Sequence, residues 1–493
     1  MARCPIRPFP DCACSARYPE LSFSGPILRS PTLRISLLVV CFGMHFGFSI
    51  TSITGVLDAL ARNFQLTLQS EQILVASLVI SCFFGAALAG PVSLRAGRRF
   101  TIFLTVALAL AGYAIKLAVP DYGWLIVSRM LVGLATGLSS MVIPMYAAET
   151  APARHRGAIV ALFQLAITAG ILAAYGIALA FASTVPWSRI LAAGAVPMLL
   201  GLVAILLLPE SPRWLAARGD FKRARSAAAN LDLLGDWAEI SATAMHGRKE
   251  TAWACLRHGS TAAVLALCSL LFILQNLSGI DGILYYAPRI FHTLGFSPGT
   301  AALSATFGLG FANFVATLVA LAVVDRAGRR PLLIWGSAVM ILGLAAVVAA
   351  ATFDWPWVGL GGLCLYITAF AVSLGPLPYV LMSELFPTPI REQGIAVASA
   401  VSWLFNALIA FTFLSIVESI GLAAAIALFL AVCVLSLVVC VLFVPETRAK
   451  PLELIEADVL AGLPLRQLGS TQQETGFDTI PGMARECRTG PAQ

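Results

Sequence analysis

Twelve apolar runs are spaced along this chain of 493 residues, each close to the roughly 20 residues a helix needs to cross a bilayer. They lie near 33–55, 72–92, 99–119, 122–147, 155–180 and 187–208. After a polar stretch, six more follow near 260–292, 299–324, 330–352, 357–384, 391–417 and 420–444. Charged residues, Pro or Gly mark most of the breaks. In lipid every backbone N–H and C=O must be paired within the chain, which a helix achieves segment by segment. Composition agrees, with 59% apolar and 12% charged residues against about 25% charged in a soluble domain. A water-soluble fold has nowhere to bury that excess. The sequence therefore predicts an all-α membrane protein of twelve transmembrane helices in two six-helix halves.

Alternate loops are rich in arginine: Arg95, Arg98 and Arg99; Arg154 and Arg156; Arg326, Arg329 and Arg330; then Arg391. The opposite set carries mainly Arg62, Arg189 and Arg289. Lys and Arg concentrate on the cytoplasmic side of membrane proteins, which puts the richer loops and both termini there, in a plasma membrane as the expected location. The net charge of +7 is thus topological, and nucleic acid is not an expected partner; the lipid bilayer is. Residues 1–32 read as a disordered cytoplasmic tail, 33–208 and 259–444 as six-helix bundles, 209–258 as a cytoplasmic loop with short helices, and 445–493 as a cytoplasmic tail. Cys41, Cys82, Cys268, Cys364, Cys433 and Cys440 fall inside apolar runs and read as small core residues. Cys12 and Cys14 have no further ligands nearby. No metal site, cofactor or nucleophile–base set is expected, and the chain reads as a non-enzyme.

The halves share a local signature. Gly90-Pro-Val-Ser-Leu-Arg-Ala-Gly-Arg-Arg99 follows the second run, and Asp325-Arg-Ala-Gly-Arg-Arg330 follows the eighth. A single copy would pass as an ordinary arginine-bearing turn. Two copies at equivalent places point to an internal repeat, and repeated halves around a midplane site are a transporter architecture.

Polar side chains are costly inside a bilayer, so they face a cavity or a partner helix. Gln164, Gln275, Asn276, Asp281, Asn313 and Asn406 fall within the runs. Amides offer donors and acceptors that suit a polyhydroxylated solute. Interhelical hydrogen bonding, worth about 0.6 kcal/mol each, is the plainer reading for any one of them. Gln275 with Asn276, beside Gly279, favours the solute. Tyr285, Tyr286, Tyr379 and Trp403 could stack on a solute and close a gate. Gly375, Pro376 and Pro378 remove or free backbone groups in mid-run, as a passive kink or as a hinge.

Several segments together resemble the sugar porters of the major facilitator superfamily, over nearly all of residues 33–456. They are Pro144-Met-Tyr-Ala-Ala-Glu149 with Arg154-His-Arg156-Gly157; Pro209-Glu-Ser-Pro-Arg213-Trp-Leu215; Gln275-Asn-Leu-Ser-Gly-Ile-Asp281 with Tyr285-Tyr286; Gly375-Pro-Leu-Pro-Tyr379 with Glu384-Leu-Phe-Pro387; and Pro445-Glu-Thr-Arg448. The resemblance implies the major facilitator fold, a monosaccharide substrate and alternating access. It implies substrate contacts at Gln164, Gln275, Asn276, Asp281, Asn313, Tyr379, Trp403 and Asn406. Tyr285, Tyr286, Gly375, Pro376 and Pro378 become gate residues. Glu149, Arg156, Glu210, Arg213, Asp325, Arg329, Glu384 and Arg391 become a cytoplasmic latch between the halves; solvated surface charges, each worth little, are the alternative.

The chain departs from that family at informative places. Gly47-Phe48-Ser49-Ile50 stands where proton-coupled members carry G-[FY]-D, so the helix-1 acid is replaced by serine, although its usual partner Arg129 is present. Asp281 stands where Asn is usual, Leu94 where the first turn has Asp, Ser402 where Asn is common and Tyr379 where Trp is common. The expectation is facilitated uniport of a hexose-like sugar, with Asp281 tuning substrate choice. Proton-coupled symport of a sugar or polyol is the alternative, and His45 is a further titratable group in the first run. A non-transporting sugar sensor is a more distant one.

Overall fold

The computed structural model describes residues 30–119, 121–238, 240–241, 259–387, 390–448 and 450–468. Most of the expected N-terminal tail, part of the 209–258 loop and residues 469–493 lie outside the described residues. Eleven helical stretches are long and apolar enough to cross a membrane. The last of them, Gln393–Phe443, turns at Gly421, where φ is +82° and ψ is +161°, so it is two crossings and the total is twelve. They are α1 (Pro31–Thr51), α2 (Leu68–Ala96), α3 (Arg98–Ala118), α4 (Tyr122–Thr150), α5 (Arg156–Phe181), α6 (Trp187–Leu206), α7 (Gly259–Tyr285), α8 (Thr300–Ala327), α9 (Arg329–Phe353), α10 (Pro356–Leu385), α11 (391–420) and α12 (422–443). Among the described residues there is no strand.

Helix ends follow local chemistry. The Thr67 hydroxyl accepts the Ser70 N–H at the start of α2, and the Asp121 carboxylate accepts those of Gly123 and Trp124 at the start of α4; such caps satisfy donors that a first turn leaves unpaired. Without a hydrophobic force between helices in lipid, close backbone approach drives packing. α1 meets α5 through Gly47 and Gly170, and α2 meets α4 through Gly85, Gly133 and Gly137; at each, a Cβ would collide with the facing helix's backbone. Large apolar side chains such as Phe84, Leu88, Leu199, Trp335 and Leu342 point outward, the reverse of a water-soluble surface. The halves meet along α2 with α11 and α5 with α8, contacts that the repeat makes equivalent.

Both R-A-G-R-R turns are built the same way. Gly97 has φ +99° and ψ +163°, and Gly328 has φ +92° and ψ +154°, a region essentially reserved for glycine. The backbone N–H groups of Arg98 and Arg99 donate to Glu210 at 3.1–3.2 Å, and those of Arg329 and Arg330 donate to Glu446 at 3.1 and 3.2 Å. Each carboxylate thus caps the next helix and favours its positive end. Burial raises the Glu210 carboxyl above its ordinary range, while the Ser211, Arg99 and Arg98 N–H groups and the Arg98 charge pull it down. The guanidinium of Arg98 reaches Ser93 O and that of Arg329 reaches Val324 O; Arg99 reaches Leu206 O and Arg330 reaches Val441 O. Four helix ends in each half are tied at one knot. We call this the arginine end.

Beyond the last crossing, a helix over Leu452–Leu460 packs on the second half with Ile455 and Val459 buried, and the Ser260 hydroxyl donates to Val459 O. The part of the 209–258 segment that is described forms the short helices Pro212–Ala217 and Phe221–Asn230 at the arginine end.

Adding a methyl group at Gly97 or Gly328 would strain the backbone and press on Glu210 or Glu446. Gly97→Ala and Gly328→Ala are each expected to cost about 1–3 kcal/mol, read as a lowered melting temperature of the detergent-purified protein. A Gly90→Ala control, where a Cβ meets nothing within 4 Å, should leave it unchanged.

Candidate functional site

Two of the second half's helices are broken part-way along their length. α7 is helical to Leu277, turns through Gly279 at φ +87°, and resumes over Ile280–Tyr285. α10 stops at Val372 and resumes at Leu377. The carbonyls freed at the α10 break, Leu374 O and Gly375 O, accept hydrogen bonds from Gln275 Nε2 at 2.8 and 2.9 Å. At the α7 break the Tyr366 hydroxyl sits 3.0 Å from both Ser278 Oγ and Ser278 O. Each break is therefore held by a side chain from the other broken helix.

Around the breaks lies a cluster of uncharged polar groups. Asn276 Nδ2 donates to Ser402 Oγ at 3.1 Å and to Phe272 O. The Ser402 hydroxyl also pairs with Tyr379, whose ring packs edge-on against Phe272 with centroids 4.7 Å apart. Tyr285 OH donates to Asn406 Oδ1 at 3.0 Å, and the Asn406 side chain also hydrogen-bonds Asp281. Trp403 reaches across to Phe46 of α1, centroids 5.9 Å apart. Of the expected solute contacts, the structure thus brings Gln275, Asn276, Asp281, Tyr379, Trp403 and Asn406 to one region. Gln164 on α5 and Asn313 on α8 make no side-chain hydrogen bond among the described residues. Their amides are free where those of Gln275 and Asn276 are engaged.

The bundle is closed at the end away from the arginine turns. Leu284 O accepts hydrogen bonds from Tyr175 OH at 2.7 Å and Thr54 Oγ1 at 3.2 Å, both from the first half. Arg289 grips the buried Glu71 through two contacts of 2.6 and 2.8 Å, with Asp58 at 3.6 Å. Gln72 Nε2 donates to Ser415 Oγ at 2.6 Å. Tyr286 OH donates to Ala410 O, and its ring stacks on Phe413. None of Glu71, Arg289, Gln72, Ser415, Thr54, Tyr175 or Tyr366 is singled out by the sequence as a contact residue. Each reads as an ordinary loop charge or helix polar group until the fold places its partner.

Of the charges grouped as a latch, Glu149, Arg329 and Glu384 form ion pairs that stay within one half. Arg98 forms a two-point pair with Glu149 at 2.8 and 3.0 Å, and Arg329 pairs with Glu384 at 3.0 Å. Glu384 also accepts from Thr447 at 2.5 Å. Glu210 caps α3 as described, and Arg391 Nε donates to Phe386 O. Arg156 Nε is buried without a hydrogen-bond partner. Arg213 lies in the Pro212–Ala217 helix, and the side chain of Asp325 lies outside the described residues. In this conformation the two best-formed pairs brace each half. An ion pair between halves, Arg289 with Glu71, is at the opposite end.

The family model described as sugar (and other) transporter matches residues 35–459. The chain belongs to the sugar porters of the major facilitator superfamily. It is 32% identical over 469 residues to the galactose–proton symporter of Escherichia coli strain K12, covering 92% of this chain and 99% of that one. It is 34% identical over 476 residues to the D-xylose–proton symporter of the same strain, covering 86% and 94%. Among solved structures it is similar to a partially occluded, inward-open conformation of the xylose transporter XylE from E. coli, with a TM-score of 0.73, 30% identity, and coverage of 85% of this chain and 99% of that one. As a sugar porter the chain is a multi-pass membrane transporter and not an enzyme.

Gln275→Leu leaves two backbone carbonyls unpaired and is expected to lower stability by about 1–3 kcal/mol for each. Gln164→Ala and Asn313→Ala should leave the melting temperature unchanged while weakening solute binding, measured side by side by thermal shift and calorimetry. Separately, Glu71→Gln and Arg289→Gln remove a charge-assisted pair worth about 1.5–3 kcal/mol. Spin-label distances across that end should shift toward longer values in both variants.

Proposed function

We propose that this sugar porter carries a monosaccharide in symport with protons, by alternating access around the α7 and α10 breaks. The observation that carries the substrate class is the convergence of Gln275, Asn276, Asn406 and Tyr379 at the two breaks, with the unpaired amides of Gln164 and Asn313. Neutral donors and acceptors of this kind match sugar hydroxyls without demanding a charge on the solute. Coupling is supported by the relatives, which at 32–34% identity and near-full coverage are galactose– and D-xylose–proton symporters.

The membrane orientation follows the arginine distribution. With the arginine end in the cytoplasm, the conformation described above is closed to the outside and its Arg289–Glu71 pair is the outer seal. In the opposite conformation, Glu149, Arg156, Glu210, Arg213, Asp325, Arg329, Glu384 and Arg391 act as the latch between halves. A ligand biases such an equilibrium only by its differential affinity for the two states.

A second reading, facilitated uniport, is favoured by one observation. Ser49 occupies the place of the helix-1 acid, and its hydroxyl pairs with Thr136 Oγ1 at 3.0 Å, while Arg129 donates to Leu74 O and Val75 O without a carboxylate partner among the described residues. Reconstitution into liposomes separates the two. Symport predicts uptake of labelled galactose, xylose or glucose above the equilibrium level when the external pH is lower, collapsing with a protonophore. Counterflow that ignores the pH gradient would establish uniport instead, and binding without flux would indicate a sensor.

A further inference from the structure

Symport needs a group that takes a proton from one side and releases it to the other, and residue 49 cannot be that group. We propose that the proton-carrying acid has moved from helix 1 to helix 7, and that Asp281, at the α7 break, performs the role that Ser49 has vacated. The inference rests on the symport reading above and names the residue that reading requires.

The other titratable groups in the crossings are poorly placed for it. His45 is fully buried in the first half, with Nδ1 engaged by Tyr113 OH at 3.2 Å and Gly194 O at 3.4 Å, and Nε2 3.5 Å from Thr136 Oγ1. Lys116 is 3% exposed and lies over the Tyr113 ring, 4.8 Å from its centroid. Glu71 is 4% exposed and locked to Arg289. Asp281 differs on each count. It is only half-buried and hydrogen-bonds the neutral Asn406 amide. No ion pair to it is formed among the described residues. Its titratable neighbours are tyrosines: Tyr285 on its own helix, with Tyr366 and Tyr379 from α10. A carboxylate held in a membrane without a cation is costly as an anion, and a bound proton removes that cost.

The link to the first half runs through Tyr285. Its hydroxyl donates to Asn406, which holds Asp281, and it also lies within electrostatic reach of Arg129. Arg129 is 1% exposed, and its NH1 is buried with no hydrogen-bond partner. Arg129, without a carboxylate partner among the described residues, and Asp281, without a cationic one, are thus linked through Tyr285 and Asn406. One proton from the outside binds an Asp281 carboxylate oxygen while sugar fills the site; after the bundle re-opens toward the cytoplasm, both leave and the carboxylate is restored. No other atom changes bonding.

The test is a double substitution in proteoliposomes. For one proton per sugar, an inward gradient of one pH unit supports about tenfold accumulation. Wild-type protein should approach that level. Asp281→Asn should fall to about onefold, the equilibrium level, with gradient-independent counterflow measured in parallel on the same vesicles. Ser49→Asp placed in the Asp281→Asn background returns an acid to helix 1, where residue 49 meets Thr136 of α4, and should restore accumulation. Retained counterflow in Asp281→Asn shows that the protein is folded and binds sugar, so a loss of accumulation reports coupling alone. Gradient-driven accumulation that persists in Asp281→Asn overturns the assignment while leaving symport standing. Wild-type protein that never accumulates sugar overturns symport itself, and the assignment with it. Should Asp281→Asn abolish counterflow as well, Asp281→Glu decides. Restored accumulation with Glu supports the carrier role, and restored counterflow without accumulation refutes it.

Discussion

In a hydrocarbon solvent, no backbone amide can be left without a partner, and the structure depends on how that demand is met wherever a helix stops. Helices that cross uninterrupted satisfy it alone. Those that break or end require side chains to stand in, and these are among the most informative residues in the chain. Gln275 serves the α10 break, Tyr366 serves the α7 break, and Glu210 and Glu446 serve the starts of α3 and α9. A broken helix at mid-membrane therefore brings polar side chains with it. The proposed solute site is built from the same groups that make the break tolerable.

The two halves use one structural plan for different ends. At the arginine turns the plan is kept almost atom for atom, so that each half is a rigid block with its helix ends tied together. Between the blocks the symmetry is lost. The broken helices and most of the polar cluster belong to the second half, while the first contributes Phe46 and the outer contacts from Thr54, Glu71, Gln72 and Tyr175. Rigid blocks with a few directional contacts at one rim can rock; a continuous core of the same size would resist it.

Much of this was legible in the sequence because it is local. Apolar runs mark the crossings, and R-A-G-R-R twice marks the repeat. The dyads Pro209-Glu210 and Pro445-Glu446 occupy matching places as well, but that each glutamate caps a helix start is seen only in the structure. What could not be read was partnership over distance. Glu71 and Arg289 are 218 positions apart, and each looks like a lone loop charge. Gln275 was legible as a polar residue in the right place, but its acceptors are carbonyls 99 and 100 positions away, and backbone atoms carry no sequence signature. The latch charges show the same limit: residue types marked the end of the bundle, while geometry decided that Arg98–Glu149 and Arg329–Glu384 close within a half.

Gln275 has one further consequence. Its amide has a single NH2 group, and in the described conformation both of those hydrogens are spent on the α10 break. A sugar hydroxyl that draws that group away leaves Leu374 O and Gly375 O exposed, while one that uses only the remaining Oε1 leaves them sealed. In the proposed site the same side chain is thus both a recognition surface and a splint, and how a sugar grips Gln275 would set the stiffness of the joint in α10.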